Sequence, residues 1–311
     1  MKKRIAIFAI ALVLTSLNSQ PTSASRGGSE DKLNPFTVGF TYVDDGIPSV
    51  CSGTLLSPTI IATAGHCVIN SKGNPGTEYI FAAPGTAIDA PINPAIVQPK
   101  ISKVITAPNF KVSGGDELDD VAFIVLDSPL KALGFIQVAS ADMVSRLLEN
   151  SKINGYGYGW VFETGKPYSS YVRRYPLSWK SIRQISGSLG TIEITSTSAV
   201  ACRGDSGGSI TVTALDGKQY LVGVLSGAAN IVNACGTMGA DGLYRMRAAI
   251  LYPYLDLIKD IYNPVSLTPL PSPSPTPTKT LKKTTIKCIK GKVVKKITAI
   301  NPKCPKGYKK V

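Results

Sequence analysis

The eight residues from 202 to 209 read CRGDSGGS, and they lead into a short run with strong β-strand preference. The serine of this segment, Ser206, lies between an acidic residue and two glycines. Glycines beside a serine allow backbone N–H groups to point at a developing oxyanion. A serine hydroxyl is a poor nucleophile until a base removes its proton, so the segment predicts a partner imidazole and a carboxylate elsewhere in the chain.

A single histidine is available as that base. His66 lies in the segment TAGHC at 63–67, directly after an apolar run. Two carboxylates, Asp119 and Asp120, precede the apolar run VAFIVL at 121–126. A buried carboxylate is what would hold an imidazole in the orientation that base catalysis needs. One histidine also excludes a histidine-rich metal site.

Short β-rich runs alternate with turn residues between residue 36 and about residue 245. No alternation of strands with long helices occurs, which argues against a parallel α/β sheet. The pattern predicts an all-β barrel or sandwich domain of roughly 240 residues, long enough for two cores. The clearest predicted strands are Phe36–Val43, Thr59–Ala64, Ile101–Thr106, Val121–Leu126, Thr191–Thr195, Ser209–Thr213 and Tyr220–Ser226.

The chain of 311 residues has a formal net charge of +14, and this charge is unevenly distributed. Three cations lie at residues 2–4 and twelve lysines lie beyond residue 278, so the body between them is nearly neutral. The basic composition is therefore no evidence for a nucleic-acid-binding core.

Residues 1–24 are typical of a secretory signal, because a basic start precedes an apolar run and a small-residue cleavage site. We expect the mature chain to begin near Ser25 and to be exported. The apolar run is too short for a comfortable membrane span, and no later segment is long and apolar enough for one.

Export makes the six cysteines interpretable as disulfides. Their order favours three local pairs, although fifteen pairings are open to six cysteines. Metal ligation is the alternative use, but no C-x-x-C pair occurs, so we predict no metal site. The favoured pairs are Cys51–Cys67, Cys202–Cys235 and Cys288–Cys304.

Three segments follow the β-rich body. A helix is predicted behind Pro253, with apolar residues at helical spacing up to Tyr262, packing against the second core. Residues 263–280 form a Pro/Ser/Thr-rich linker of extended character. Residues 281–311 form a small lysine-rich module that would need its disulfide to fold.

Taken together, CRGDSGGS, TAGHC and DVAFIVL resemble the trypsin/chymotrypsin-like serine peptidases of the secreted bacterial type, over residues 25–262. The order histidine, aspartate, serine along the chain matches that family. The resemblance implies two antiparallel six-stranded β-barrels with a C-terminal helix. It also implies that two of the cysteine pairs fix the histidine loop and the serine loop.

Roles for individual residues follow from this resemblance. It makes Ser206 the nucleophile, His66 the general base and acid, and Asp120 the carboxylate that fixes the imidazole. Asp119 is the alternative to Asp120. The N–H groups of Gly204 and Ser206 would form the oxyanion hole.

The resemblance also assigns the substrate pocket. The strand Ser226-Gly227-Ala228 would pair with the substrate backbone, and Val200 would form the pocket floor. Gly242 would lie in the pocket wall, with Asp241 beside it as a charge from the side. A buried basic side chain on valine would lack a counter-charge, so an apolar or small P1 residue is favoured over a basic one. Residues 154–157 resemble a structural turn before the second barrel.

An activation step is implied as well. In the family, the residue matching Asp205 pairs with a new N-terminal ammonium. Here Ser25 would supply that ammonium directly after signal cleavage, without a zymogen stage, although Ser25 and Arg26 lack the apolar side chains that usually bury this end.

The sequence thus predicts a secreted, monomeric serine endopeptidase without a cofactor. A catalytically silent homologue and an adhesion protein that uses the basic module are the alternatives. The module predicts attraction to anionic cell-wall or membrane-surface polymers, and hence a location at the cell wall, or else a merely solubilising tail. With one aromatic residue, Tyr308, it offers little to a nucleic acid.

Overall fold

The computed structural model describes residues 28–70, 72–90, 97–111, 119–161, 168–183, 189–263 and 284–311. The predicted signal segment, Ser25 and all but the first residue of the predicted linker lie outside the described residues. The chain divides into two compact units, Met1–Thr268 and Pro269–Val311. Among the described residues, no helix has the length and apolar character to cross a membrane.

The N-terminal half of the first unit is a six-stranded antiparallel sheet with the strand order β5-β2-β3-β4-β7-β6. Its end strands are not paired with each other within the described ranges, so the sheet is a half-barrel. Its inner face buries Val38, Leu55 and Ile61 together with an aromatic group around Phe40. The strands are β2 (Thr37–Asp44), β3 (Ile47–Ser57), β4 (Ile60–Thr63), β5 (Thr77–Ala82), β6 (Ile101–Thr106) and β7 (Ala122–Leu126).

The C-terminal half is a closed six-stranded barrel, because its first strand pairs with two neighbours and completes the circle β9-β10-β11-β16-β13-β12. The strands of this circle are β9 (Lys152–Gly157), β10 (Arg173–Arg183), β11 (Thr191–Ser196), β12 (Ser209–Thr213), β13 (Gln219–Ala228) and β16 (Tyr244–Ile250). Two short strands pair with strands of this barrel, β1 (Ser29–Glu30) with β10 and β8 (Gln137–Val138) with β13. A separate ribbon consists of β14 (Ile231–Val232) and β15 (Cys235–Gly236), and a short helix, α1, spans Ala141–Ser145.

The two halves share one apolar cluster and several hydrogen bonds. Leu56 and Phe123 from the half-barrel and Val224 from the closed barrel lie in the same buried cluster. The hydroxyls of Thr54 and Ser209 are 2.6 Å apart across the junction. This junction fixes the face on which the histidine and serine segments meet.

The predicted all-β fold is confirmed, and the observed strands match the predicted runs to within a few residues at each end. Two details differ from the expectation. One barrel is closed and the other is half-open in the described ranges. The terminal helix is a 3₁₀ helix, Tyr252–Ile258, and it packs into the cluster shared by both halves rather than against the second core alone.

The second unit is a three-stranded antiparallel sheet with the order β18-β17-β19. Its strands are β17 (Thr284–Lys290), β18 (Val293–Ala299) and β19 (Lys309–Lys310). The disulfide between Cys288 and Cys304 provides its buried centre, since the Cys288 side chain has no exposed surface. So small a sheet has little apolar core, and the covalent link compensates for that.

Candidate active site

His66 lies in a single turn of 3₁₀ helix, Gly65–Cys67, which Ala64 joins to the end of β4. A disulfide joins Cys67 to Cys51 on β3, so the histidine turn is fixed to a strand of the half-barrel. The side chain of His66 is 22% exposed, which leaves one edge of the ring open to a surface cleft.

Asp120 lies behind the histidine, two residues before the start of β7, and its side chain is 1% exposed. Its Oδ2 is 2.8 Å from Nδ1 of His66, and its Oδ1 accepts the backbone N–H of His66 at 2.9 Å. Asp119 turns away: its φ is +50°, and its Oδ1 accepts the N–H of Leu189 at 2.9 Å. Of the two candidate carboxylates, only Asp120 contacts the imidazole.

A third side chain holds the carboxylate. The hydroxyl of Ser226 donates a hydrogen bond of 2.6 Å to Oδ2 of Asp120. The pairing of β13 with β16 slips between Leu225 and Gly227, which leaves Ser226 outside the ladder. Such a bulge re-aims a side chain, and here it directs the hydroxyl toward the carboxylate.

These contacts determine the ionisation of Asp120. Burial opposes the charged form, but the positive charge of His66 and the hydrogen bonds from His66 and Ser226 outweigh it. The pKa of Asp120 is lowered from 3.8 to about 2. The carboxylate therefore stays negative beside the imidazole at all but strongly acidic pH.

Ser206 lies in the turn before β12, and it lines the same cleft as His66, a hollow of about 400 Å³. The turn is tied to the half-barrel because the N–H of Ser52 donates to the carbonyl of Ser206 at 2.8 Å. The disulfide from Cys202 to Cys235 fixes its other end. The hydroxyl and the imidazole thus reach one cleft from two halves of the fold.

The backbone around the serine adopts conformations that require glycine. The φ angles of Gly204 and Gly207 are +95° and +78°. A Cβ on Gly207 would lie 2.1 Å from Oγ1 of Thr63, so the turn packs directly on the strand that leads to the histidine. Within the described ranges, the N–H groups of Gly204 and Ser206 donate to no protein acceptor.

Asp205 points into the protein, away from the cleft, and is fully buried. Its carboxylate accepts the N–H of Gly159 and the N–H of Cys202, each at 2.8 Å. Burial raises its pKa to about 6, against the opposing effects of these two hydrogen bonds and the charge of Arg173. The guanidinium of Arg173 in turn donates to the carbonyl of Gly28, the first described residue.

The predicted substrate strand lines the cleft, and the predicted pocket wall does not. Ser226-Gly227-Ala228 all border the hollow. Val200, the predicted pocket floor, is not among the residues that line the hollow. It is fully buried and packs against Gly236, where an added Cβ would lie 2.7 Å from Val200 Cγ2. Asp241 forms an ion pair with Arg245 and borders a separate hollow.

Gly242 is likewise outside the cleft: it is exposed, and a Cβ on it would contact nothing within 4 Å. The strand that contributes Arg247 to the cleft, β16, begins only at Tyr244. Asp241 and Gly242 therefore lie in the loop before this strand, and β16 borders the cleft through Arg247.

Residues 154–157 lie in β9, within the closed barrel. A Cβ on Gly155 would lie 2.1 Å from the ring of Tyr175, so this glycine allows the ring to pack against the strand. This contact agrees with a structural role for the segment. His66 also lies near the sulfurs of Cys51 and Cys67, but these sulfurs are bonded to each other and are not thiolate ligands.

Sequence reasoning missed two features of the cleft. The hydrogen bond from Ser226 to Asp120 depends on the bulge in β13, which no local pattern signals. Arg203 and Arg247 border the cleft as well. Arg203 is visible within CRGDSGGS, but the position of Arg247 depends on the register of β16 against β13.

Serine proteases are among the proteins similar to this chain. Serine protease 7 of Drosophila melanogaster is 27% identical over 233 residues, covering 69% of this chain and 58% of that protein. Modular serine protease of Drosophila melanogaster is 25% identical over 199 residues, covering 58% and 31%. Serine protease SP24D of Anopheles gambiae is 28% identical over 250 residues, covering 73% and 85%.

These relatives come from insects, and the chain spans less than two thirds of the length of the first two. The basic module at the C-terminus lies beyond the segment that the family comparison matches. The family profile for Trypsin matches residues 25–246, which include the histidine, aspartate and serine segments. The chain belongs to the trypsin family.

Proposed function

We propose that the chain is an exported serine endopeptidase whose nucleophile is Ser206, with His66 as base and acid and Asp120 as the orienting carboxylate. One observation carries the proposal: Ser206 and His66 border the same cleft, while Asp120 contacts the Nδ1 side of the imidazole. The opposite ring nitrogen, Nε2, is then the one that serves the serine.

In this mechanism, Nε2 of His66 takes the proton of Ser206 as Oγ attacks the peptide carbonyl carbon. The C–N bond breaks when the imidazole returns that proton to the leaving nitrogen, and an acyl group remains on Ser206. Water, deprotonated by the same imidazole, then attacks the acyl carbon, the bond from that carbon to Oγ breaks, and the imidazolium returns the proton to Oγ of Ser206. The pKa of Asp120, about 2, supports a carboxylate that stays charged and stabilises the imidazolium.

The tetrahedral oxyanion would be stabilised by the N–H groups of Gly204 and Ser206. The positive φ of Gly204 supports this role, since it turns the backbone in a way that residues with a Cβ rarely adopt. Two such donors in a partly buried site contribute several kcal/mol of transition-state stabilisation.

A small or apolar P1 residue fits the cleft best. The walls nearest the serine include Ala201, Leu225 and the Cys202 side of a disulfide. Val200 is buried behind them, and the sulfur of Met246 lies 3.3 Å from the N–H of Ala201. The described residues that line the hollow include no aspartate or glutamate, so a buried basic side chain would lack a counter-charge there.

Export and activation are proposed together. The proposed order of segments is the signal segment 1–24, the peptidase domain 25–262, the linker 263–280 and the module 281–311. The three disulfides suit an oxidising compartment. Signal cleavage would create an ammonium on Ser25. The carbonyl of Gly28 accepts a hydrogen bond from Arg173, and the positive charge of Arg173 acts on Asp205. Ser25 is three residues before Gly28, and three extended residues span roughly 10 Å.

The basic module is proposed to bind anionic cell-wall polymers. Lys287 and Lys296 lie directly opposite each other, and Lys295 and Lys310 both flank Cys288. Like charges opposite each other destabilise a sheet, and a polyanion would relieve that repulsion. We expect the variant Lys287→Gln/Lys296→Gln to lose binding to bacterial cell walls. The matched variant Lys152→Gln/Lys180→Gln should keep that binding, and added salt should weaken it. Equal binding of both variants would contradict it.

The peptidase proposal is tested by a fluorophosphonate that labels activated serines. The wild-type chain should be labelled at Ser206 and should cleave peptides, and Ser206→Ala should lose both properties without a change in melting temperature. The matched variant Ser198→Ala, at an exposed position, should behave as wild type. A folded wild-type chain that takes up no label would instead indicate a silent homologue.

A further inference from the structure

Two arginines border the cleft that contains Ser206 and His66. They are Arg203, which directly follows the disulfide-bonded Cys202, and Arg247, on the barrel strand β16. Among the described residues that line this hollow there is no aspartate or glutamate. The wall that a substrate would meet beside Ser206 is therefore positively charged.

Arg247 reaches the cleft because of a glycine on the neighbouring strand. Met246 and Ala248 point into the barrel and are buried, so Arg247 between them lies on the opposite face. Its cross-strand partner on β13 is Gly227, and a Cβ on Gly227 would contact nothing within 4 Å. The absence of a side chain at 227 opens the space above the strand next to Arg247.

Arg203 is held by its backbone rather than by its side chain. Its N–H donates to the carbonyl of Ala234, and its carbonyl accepts the N–H of Trp160, both at 2.7 Å. The side chain is exposed at the rim of the cleft. A fixed backbone with an exposed guanidinium presents a charge at a defined position to an incoming chain.

We propose that this cleft selects peptide substrates with an acidic side chain close to the scissile bond, among the residues that precede P1. The inference rests on the proposed peptidase function. Guanidinium groups bind carboxylates with two parallel, charge-assisted hydrogen bonds, and the partly enclosed cleft strengthens that attraction over its value in open water. A basic side chain in the same place would be repelled by both arginines.

A structural role for Arg247 is the competing explanation. Glu193 lies directly opposite Arg247 on β11, and its Oε2 accepts the hydroxyl of Ser181 at 2.9 Å. If Arg247 served only this cross-strand pair, its removal would change the stability of the barrel and leave substrate selection unaltered.

The test measures kcat/KM for matched peptides that carry Glu, Gln or Lys at each of the three positions before P1. We expect the wild type to favour Glu over Gln by about tenfold at one position, with Lys the poorest. Arg247→Ala and Arg203→Ala should each reduce the Glu/Gln ratio at least threefold, and Arg247→Glu should favour Lys. Added salt should lower the ratio as well.

The control is Arg245→Ala. Arg245 lies on the same face of β16 two residues away, but it pairs with Asp241 and borders the separate hollow, so its removal should leave the Glu/Gln ratio unchanged. A Glu/Gln ratio near one in an enzyme labelled at Ser206 overturns the inference and leaves the peptidase proposal intact. A chain that neither takes the label nor cleaves any peptide overturns both. Arg203→Ala provides an independent test if Arg247→Ala fails to fold.

Discussion

The hydroxyl of Ser226 donates its hydrogen to Oδ2 of Asp120 at 2.6 Å, the same oxygen that lies 2.8 Å from Nδ1 of His66. One carboxylate oxygen is therefore contacted by two side chains, His66 from the half-barrel and Ser226 from a bulge in the closed barrel. The contact couples the packing of the two halves to the orientation of the imidazole.

Replacement of Ser226 by alanine should raise the pKa of Asp120 from about 2 toward 3.8. A carboxyl group with a depressed pKa stabilises the fold above pH 3.8, and that stability is lost as the pH falls through the folded value. Ser226→Ala should therefore lower the free energy of unfolding at pH 7 by about 1.5–3 kcal/mol. Urea denaturation at pH 3 and pH 7 measures this.

Activity in Ser226→Ala should also fall by about tenfold in kcat/KM, because the carboxylate loses one of the groups that fix it. Ser198→Ala, at an exposed position, is the matched control for both measurements. Unchanged stability at pH 7 together with unchanged activity would show that the 2.6 Å contact has no energetic weight.

The two neighbouring aspartates should differ sharply on conversion to asparagine. Asp120→Asn should reduce kcat by about 10⁴-fold, since an amide disfavours the imidazole tautomer that accepts the serine proton. Asp119→Asn keeps the acceptor for Leu189 and suits the positive φ, so its kcat should change less than about threefold. Equal losses in the two variants would refute the assignment of Asp120. Steady-state kinetics on both variants is the measurement.

Removal of the disulfide at the histidine turn should lower both stability and activity. The bond between Cys51 and Cys67 closes a loop with a sequence separation of 16. The double variant Cys51→Ala/Cys67→Ala should lose about 3 kcal/mol of unfolding free energy, largely through the gain of freedom in the unfolded chain. Calorimetry and peptide hydrolysis on the same sample test whether activity declines in the fraction that remains folded.

The ionisation of Asp205 should report on the mature N-terminus. With a folded pKa of about 6 against 3.8, its protonated form is favoured in the fold. The corresponding stability is fully present below pH 3.8 and is lost as the pH rises through about 6, a fall of about 3 kcal/mol. A chain that begins at Ala24 should show this fall.

In a chain that begins at Ser25, an ammonium paired with Asp205 would favour the charged carboxylate, and the fall should disappear. Urea denaturation of the two chains between pH 4 and pH 7 isolates this effect, because all other groups are shared. Superimposable pH profiles would argue against Ser25 as the activating residue.

Much of the fold follows from local patterns in the sequence. Short β-rich runs bounded by turn residues mark the strands, as at 101–106 and 209–213, because β-branched and other strand-favouring residues between turn signals are a local property of the sequence. The order of the cysteines likewise favoured the three observed pairs, since short loops cost the least entropy to close. The segment CRGDSGGS marked the reactive serine by the chemistry of its neighbours.

The tertiary structure alone decided which groups meet around that serine. Asp119 turns away from the imidazole because of its positive φ, and Ser226 reaches Asp120 because of a bulge in β13. Asp241 lies away from the cleft because of the length of the loop before β16. Arg247 borders the cleft because β16 pairs with β13 in one register out of several. Contacts between distant segments depend on the energy of the whole packed barrel, so no local stretch of residues encodes them.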